Sequence, residues 1–264
     1  MLYSEVLDSV KEQAGGGWSA MVSEDWLQGR SVFGGLQAGL ALRAMRFVVP
    51  GGVPLRSLQT TFLAPVPAGP LHLQARVLRA GKSATHVEAQ LTDGQQTLCT
   101  AIGIFGAARP SVVQIAPVQP AVVCDKPLTF PYIAGLTPAF TQHFDVRWLR
   151  GGLPFTGSKE TRNVLEIGLR DAGGSLASEE HVLGIADFIP PIALSLLKKP
   201  SVGSSMTWMI EFLGNYTGGL PLQGWRMDAE LVAAGDGYTS QSGLLWGPDG
   251  SPVALSRQNM VVFA

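Results

Sequence analysis

One carboxylate in this sequence lies between two apolar runs of residues. Asp187 follows the largely apolar residues 182–186 and precedes Pro190 and Pro191, after which a second apolar run continues to Leu197. Proline is tolerated in the first turn of a helix, so the spacing predicts a helix that begins beside Asp187. The helix dipole would favour the ionised carboxylate, which could accept a proton from water. The alternative is that Asp187 only caps this helix.

A second polar residue interrupts an apolar strand face. Residues 253–263 alternate as a strand, and Gln258 shares its face with residues that are mostly apolar: Ala254, Ser256, Met260 and Val262. Because alternate side chains of a strand point to one side, this face is predicted to point inward. A buried glutamine must be hydrogen-bonded, so Gln258 either belongs to a buried network or holds a ligand.

Other kinds of site are not supported by the spacing. Residues 15–20 have the form of a dinucleotide-binding fingerprint, but no strand precedes them and no helix clearly follows. The sequence contains no nucleophile elbow and no phosphate-binding P-loop. None of its four histidines has a second ligand at metal spacing; they are His72, His86, His143 and His181. We therefore expect neither a metal nor a cofactor.

The composition predicts a globular protein with a large core. Of the 264 residues, 46% are hydrophobic and 15% are charged, and the net charge is −1. With no basic block, nothing indicates a nucleic-acid groove or binding to an anionic membrane surface. Apolar runs stop well short of the ~20 residues of a membrane span. Residues 1–13 lack a signal-peptide pattern, and Cys99 and Cys124 are the only cysteines, so we expect a cytoplasmic protein with free thiols.

The elements that must position these residues fall into two similar halves. In the first, a helix is predicted over residues 2–13 and a strand over 18–26. Residues 33–47 are apolar nearly all round, which predicts a buried helix, and Gly35 and Gly39 within it indicate close approach of another backbone or a ligand. Antiparallel strands are predicted at 55–65, 71–78, 84–91 and 96–105, with a hairpin turn at Asp93-Gly94.

The second half repeats this order after a proline-rich segment. A strand is predicted at 140–149 and another at 164–169, then a helical stretch over 176–197 that breaks near Asp187. Four strands follow at 206–212, 225–232, 238–245 and 253–263. We predict an N-terminal repeat (1–108), a linker (109–138) and a C-terminal repeat (139–264). Since an apolar helix needs cover on several sides, each sheet should wrap its helix, which gives an α+β fold.

At this point the chain resembles a known family, the acyl-CoA thioesterase II-like proteins, whose fold is a double hotdog. The resemblance covers nearly the whole chain and rests on the order and spacing of five stretches. These are Phe33-Gly34-Gly35, residues 55–66, Gly81-Lys82-Ser83, Ala186-Asp187-Phe188-Ile189-Pro190-Pro191 and Ser256-Arg257-Gln258.

The resemblance implies hydrolysis of acyl-CoA thioesters to the free acid and CoA, without a cofactor or a covalent nucleophile. Family members hold a water with an Asp at the second helix, a Thr or Ser on the next strand and a Gln on the last strand. These correspond to Asp187, Ser205 and Gln258. The family usually has Thr where Ser205 stands, and Thr207 is the alternative if the register slips. Alternation puts Ser205 on a more polar face with Thr207, so an ordinary solvated position is also open.

The oxyanion of a thioester intermediate needs N–H donors, which a helix N-terminus can supply. We expect Gly35 to be one such donor; the alternative is a packing glycine. The acyl chain would lie in an apolar tunnel beside the helices.

Two other functions stay open. One is a non-catalytic acyl-CoA-binding protein. The other is a hydratase or dehydratase, which would use an Asp/His pair, and His181 is the histidine nearest to Asp187. Acyl-CoA is the expected partner, with no nucleic acid and no membrane insertion, and a homo-oligomer is expected from the sheet edges and low charge.

Overall fold

The computed structural model describes residues 1–214, 216 and 218–263. The first half contains α1 (Tyr3–Asp8), β1 (Lys11–Glu12), β2 (Trp18–Val22), β3 (Leu27–Gln28), β4 (Ser31–Val32), α2 (Gly34–Arg46), β5 (Leu55–Phe62), β6 (Gly69–Ala80), β7 (Thr85–Thr92) and β8 (Thr97–Phe105). The segment between the halves contains β9 (Leu128–Thr129). The second half contains β10 (Phe144–Arg150), β11 (Arg162–Leu169), β12 (Leu176–Ala177), α3 (Glu179–Ala186), α4 (Ala193–Leu196), β13 (Val202–Phe212), β14 (Leu220–Pro221), β15 (Trp225–Gly235), β16 (Tyr238–Trp246) and β17 (Pro252–Phe263).

Most of the described strands join one antiparallel sheet that runs through both halves. Its order is β1-β2-β6-β7-β8-β5-β13-β17-β16-β15-β11-β10-β9, and two small ribbons, β3-β4 and β12-β14, stand apart from it. The halves meet where β5 pairs with β13. Each half therefore places its main helix against its own part of the sheet, as the predicted α+β repeat requires.

The pairing at this junction defines a local twofold relation between the halves. An antiparallel pair has such an axis through every residue pair, and the axis through Gln59 and Met209 is the one that superposes the irregularities of β5 and β13. Both strands also carry one extra residue at equivalent positions, Arg56 in β5 and Met206 in β13. Such a bulge shifts the alternation of side chains beyond it.

Helix α2 has no polar face and is covered on several sides, as its composition predicts. It packs against β6, β7 and β8 on one side and against α3 on the other. Its single buried amide, Gln37, donates to the carbonyl oxygen of Val32 at 2.6 Å. None of the helices in the described ranges is long and apolar enough to cross a membrane.

Four predicted elements differ from the structure. The helix over residues 2–13 ends at Asp8 and is followed by edge strand β1, while the strands predicted at 18–26 and 140–149 are partly 3₁₀ helix, at Glu24–Trp26 and Ala139–His143. The helical stretch over 176–197 opens on β12 and divides into α3 and α4. Helix α4 begins only at Ala193, because Pro190 and Pro191 stand in an irregular turn rather than in a first helical turn.

Candidate active site

Asp187 ends a helix instead of beginning one, which corrects the sequence-based expectation. It is the C-cap residue of α3, and its carboxylate reaches across to the N-terminus of the other central helix, α2. There the backbone N–H of Gly35 donates a hydrogen bond to it. The first N–H groups of a helix have no partner within the helix and favour an anion, so this contact satisfies both groups.

The two glycines that open α2 leave room for this contact. A Cβ on Gly34 would lie 2.8 Å from Oδ2 of Asp187, and a Cβ on Gly35 would lie 3.0 Å from the Asp187 Cβ and 2.7 Å from the Phe33 ring. Any side chain at either position would displace the carboxylate or the ring. The Phe33-Gly34-Gly35 stretch is therefore shaped for the close approach of Asp187.

Gln258 supplies the second polar contact of Asp187. It points inward from β17, opposite Trp208 of β13, and is 4% exposed. Its Nε2 donates to Oδ1 of Asp187. Because an ionised carboxylate can only accept a hydrogen bond, this contact fixes the orientation of the Gln258 amide. The amide oxygen, Gln258 Oε1, has no partner among the described residues.

Apolar surroundings change the acidity of Asp187. Burial raises the pKa of this carboxyl to about 7, against the hydrogen bonds from Gln258 and Gly35, which lower it. Phenylalanine rings pack tightly beside it: Phe33 stacks on Phe140 with centroids 4.1 Å apart, and Phe188 lies 4.8 Å from Phe144. A carboxylate with a pKa near neutrality can both take up and release a proton at physiological pH.

The bulge at Met206 decides which hydroxyl faces the site. Ser205 pairs with Met260, so it shares the inward face with Gln258, whereas Thr207 pairs with Asn259 and is exposed. Simple alternation predicts Ser205 and Thr207 on one face, and the extra residue separates them. Within the described part of the chain, the Ser205 hydroxyl makes no hydrogen bond to Asp187 or Gln258.

Gly35 is engaged on both sides of its backbone. Its N–H is bonded to Asp187, and its carbonyl accepts a hydrogen bond of 3.1 Å from the Tyr3 hydroxyl. The same hydroxyl lies 2.7 Å from the Glu180 carbonyl oxygen of α3. Tyr3 therefore bridges the two central helices, which the sequence did not reveal because α1 lies far from both along the chain.

Glycines on both helices admit the Tyr3 ring. A Cβ on Gly184 of α3 would lie 2.9 Å from the ring, and one on Gly39 of α2 would overlap the Tyr3 hydroxyl. The close approach predicted at Gly39 is thus made by a side chain. His181, by contrast, bonds to Asp171 at 3.1 Å and to Ser178 at 2.8 Å, at the opposite end of α3 from Asp187.

Comparison of the sequence with models of protein families identifies the family of this chain. Residues 22–106 match the acyl-CoA thioesterase N-terminal domain, and residues 122–262 match the acyl-CoA thioesterase C-terminal domain. The chain belongs to the acyl-CoA thioesterase family. No curated protein sequence matches this family member.

Solved structures share the fold of this thioesterase-family chain over its whole length. A hotdog-fold protein from Alicyclobacillus acidocaldarius is 21% identical with a TM-score of 0.84, and the match covers 99% of this chain and 98% of the other. An acyl-CoA thioesterase II, TesB2, from Mycobacterium marinum is 18% identical with a TM-score of 0.74, covering 100% and 97%. The tesB protein of Mycobacterium avium subs paratuberculosis is 15% identical with a TM-score of 0.77, covering 100% of both chains. The predicted double hotdog fold is confirmed.

This thioesterase-family chain has the carboxylate–amide arrangement in only one of its two related positions in the described structure. By the twofold relation, Leu55 corresponds to Ser205 and Gly103 corresponds to Gln258. Near Leu55 a buried ion pair is found instead: Glu179 binds Arg46 and accepts a hydrogen bond of 2.7 Å from the Leu55 N–H. The described part of the duplicated fold therefore contains one candidate active site.

Two cavities lie away from Asp187 in this family member. One, of about 750 Å³, is on the outer face of the sheet and includes Arg226 and Arg257; the other, of about 670 Å³, lies around Arg56. Among the described residues, no three His, Cys, Asp or Glu side chains are grouped closely enough to hold a metal ion.

Proposed function

We propose that this protein hydrolyses acyl-CoA thioesters to the free acid and CoA, using a water held by Asp187, Ser205 and Gln258. The observation that carries the proposal is the Asp187–Gln258 pair at the N-terminus of α2, in apolar surroundings. Family membership supports acyl-CoA as the substrate. No cofactor is needed, because the carboxylate can activate the water by itself.

The reaction follows from the carboxylate and the amide oxygen of this pair. The Asp187 carboxylate takes a proton from the water, while Gln258 Oε1 accepts a hydrogen bond from the other water hydrogen. The water oxygen forms a bond to the thioester carbon, and the carbonyl electron pair moves onto oxygen. When the carbonyl re-forms, the C–S bond breaks, and CoA leaves as a thiolate that takes the proton from Asp187. An N–H donor near the carbonyl would stabilise the oxyanion. Gly35 remains a candidate for this donor, although its N–H is bonded to Asp187 in this structure.

Release of free thiol from a panel of acyl-CoAs tests this function. The panel runs from short to long chains and includes aromatic acyl groups. We expect turnover on at least one class, which would also identify the acyl group that the protein prefers. Binding of acyl-CoA without release of thiol would instead identify a non-catalytic binding protein.

The pH profile should follow the titration of Asp187. Because the base must be ionised, we expect kcat/KM to reach a plateau above the pKa of about 7 and to fall about tenfold per pH unit below it. Since this pKa is raised in the folded state, the contribution of Asp187 to the free energy of unfolding, taken as the difference between wild type and Asp187→Asn, should fall as the pH rises from about 4 to about 7. Steady-state kinetics and urea denaturation measure the two effects. A kcat/KM that is constant across this range would exclude Asp187 as the base.

The bulge predicts opposite outcomes for two neighbouring hydroxyls. We expect Ser205→Ala to lower kcat about tenfold, the effect of losing about one hydrogen bond to the reacting water. Thr207→Ala, on the exposed face, should keep wild-type kcat. Kinetics of both variants on one substrate provide the measurement. A loss in Thr207→Ala with normal activity in Ser205→Ala would reverse the assignment.

We also propose that the N-terminal repeat ends at residue 108 and that the linker ends at residue 138. We propose further that the protein is cytoplasmic and forms a homo-oligomer. Low charge and the strand edges β1 and β9 support association. Light scattering after size exclusion would give the oligomeric state, and a single monomeric species would contradict it.

A further inference from the structure

A second buried glutamine lies beside Gln258 on the inward face of the sheet. Gln241 of β16 pairs directly with Gln258 of β17 and is 3% exposed. Side chains that pair across neighbouring antiparallel strands have Cβ atoms about 5 Å apart. The two amides therefore lie side by side, facing the segment that connects Asp187 with α4.

One hydrogen bond fixes the orientation of the Gln241 amide. Its Oε1 accepts from the backbone N–H of Ile192 at 2.8 Å. Since an N–H needs an acceptor, the oxygen must be the atom at this position, and the NH₂ group must point the other way. This bond also ties the segment after Asp187 to the sheet.

The Gln241 NH₂ group has no partner among the described residues. The NH₂ group is also not completely enclosed, in contrast to unpaired polar atoms such as Thr60 Oγ1 and Thr239 Oγ1. Buried polar groups are almost always paired, with protein, water or ligand. An accessible, unpaired donor next to Gln258 therefore indicates a group that arrives from outside the chain.

We propose that the side-chain N–H of Gln241 donates a hydrogen bond to the carbonyl oxygen of the bound thioester. This inference rests on the proposed function. Gly35, another donor near the site, already gives its N–H to Asp187, whereas the NH₂ group of Gln241 has no partner among the described residues. Because Gln241 and Gln258 pair directly, a carbonyl oxygen bound by Gln241 would be a neighbour of a water bound by Gln258, as attack on the carbonyl carbon requires. The bond strengthens as negative charge develops on the oxygen.

A pair of unreactive CoA analogues isolates this contact. The ketone analogue has a methylene in place of the thioester sulfur and keeps the carbonyl, while the thioether analogue has a methylene in place of the carbonyl. Isothermal titration gives the affinity ratio of the two in each variant. We expect the wild type to bind the ketone about fivefold more tightly, the value of one neutral hydrogen bond. In Gln241→Met this ratio should fall to about one.

Two further variants control for effects on folding and on the connecting segment. Thr239→Val removes a buried hydroxyl from the same face of β16 and should keep the wild-type ratio. Gln241→Glu keeps an acceptor for the Ile192 N–H but has no NH₂ group, so its ratio should also fall. Loss of segment anchoring alone would weaken both analogues equally and leave the ratio unchanged.

The outcomes separate this inference from the proposed function. An unchanged ratio in Gln241→Met and Gln241→Glu, with both analogues bound, would overturn the role of Gln241 alone. Failure of the wild type to bind either analogue would overturn the proposed function, and the inference with it.

Discussion

Replacing Asp187 by Asn should lower kcat for acyl-CoA hydrolysis at least about a hundredfold, the loss expected when a general base is removed. Asparagine has nearly the same shape, and its oxygen can still accept a hydrogen bond from Gln258. What it lacks is the ability to take a proton from water. Thiol release by the variant and the wild type, compared on the preferred substrate above pH 7, measures the effect.

A carboxylate outside the site provides the matched control for this substitution. Asp171 is partly buried and bonded to Ser4 and His181, away from Asp187. Asp171→Asn should stay within about threefold of the wild-type kcat, whatever its effect on thermal stability. If Asp187→Asn retained full activity, Asp187 would be only the cap of α3 and the reacting water would lie elsewhere.

Replacing Gly39 by Ala should destabilise the fold by about 3 kcal/mol, at the upper end of the range for overpacking a core. The added Cβ would overlap the hydroxyl of Tyr3, which is fully buried between α2 and α3. If the ring moved, its hydroxyl would lose its contacts with Gly35 and Glu180. Urea denaturation of the variant gives the free energy of unfolding.

A double-mutant cycle identifies the cause of this loss. Tyr3→Phe removes the overlapping oxygen, and the next ring atom, Cζ, lies 3.2 Å from the added Cβ. In the Tyr3→Phe background, Gly39→Ala should therefore destabilise by only about 1 kcal/mol. Strictly additive effects of the two substitutions would show that Tyr3 is not what Gly39 accommodates.

The larger features of the fold follow from sequence patterns. The helix of residues 33–47 has no polar face, which requires cover on several sides, and alternation in the last strand correctly indicates that Gln258 points inward. These features depend on residues close together along the chain, where periodicity is informative.

The contacts that build the site depend on distant parts of the chain and escape such patterns. Asp187 meets Gly35 only because α3 ends where α2 begins, and Ser205 turns inward only because β13 bulges at Met206. Gln241 could have been found by the reasoning applied to Gln258, since it also interrupts a buried strand face between Thr239 and Leu245. That its NH₂ group has no partner among the described residues could not have been inferred, because the bond to Ile192 that orients the amide is a tertiary contact.

The central claim is that a water held by Asp187 and Gln258 attacks the thioester directly. A single-turnover reaction with protein in excess over acyl-CoA, run in ¹⁸O-labelled water and analysed by mass spectrometry, tests it. The account predicts that the released acid carries one ¹⁸O atom from the first turnover and that the mass of the protein does not change. An acyl adduct on the protein, ¹⁸O incorporated at Asp187, or acyl-CoA that stays intact would contradict it.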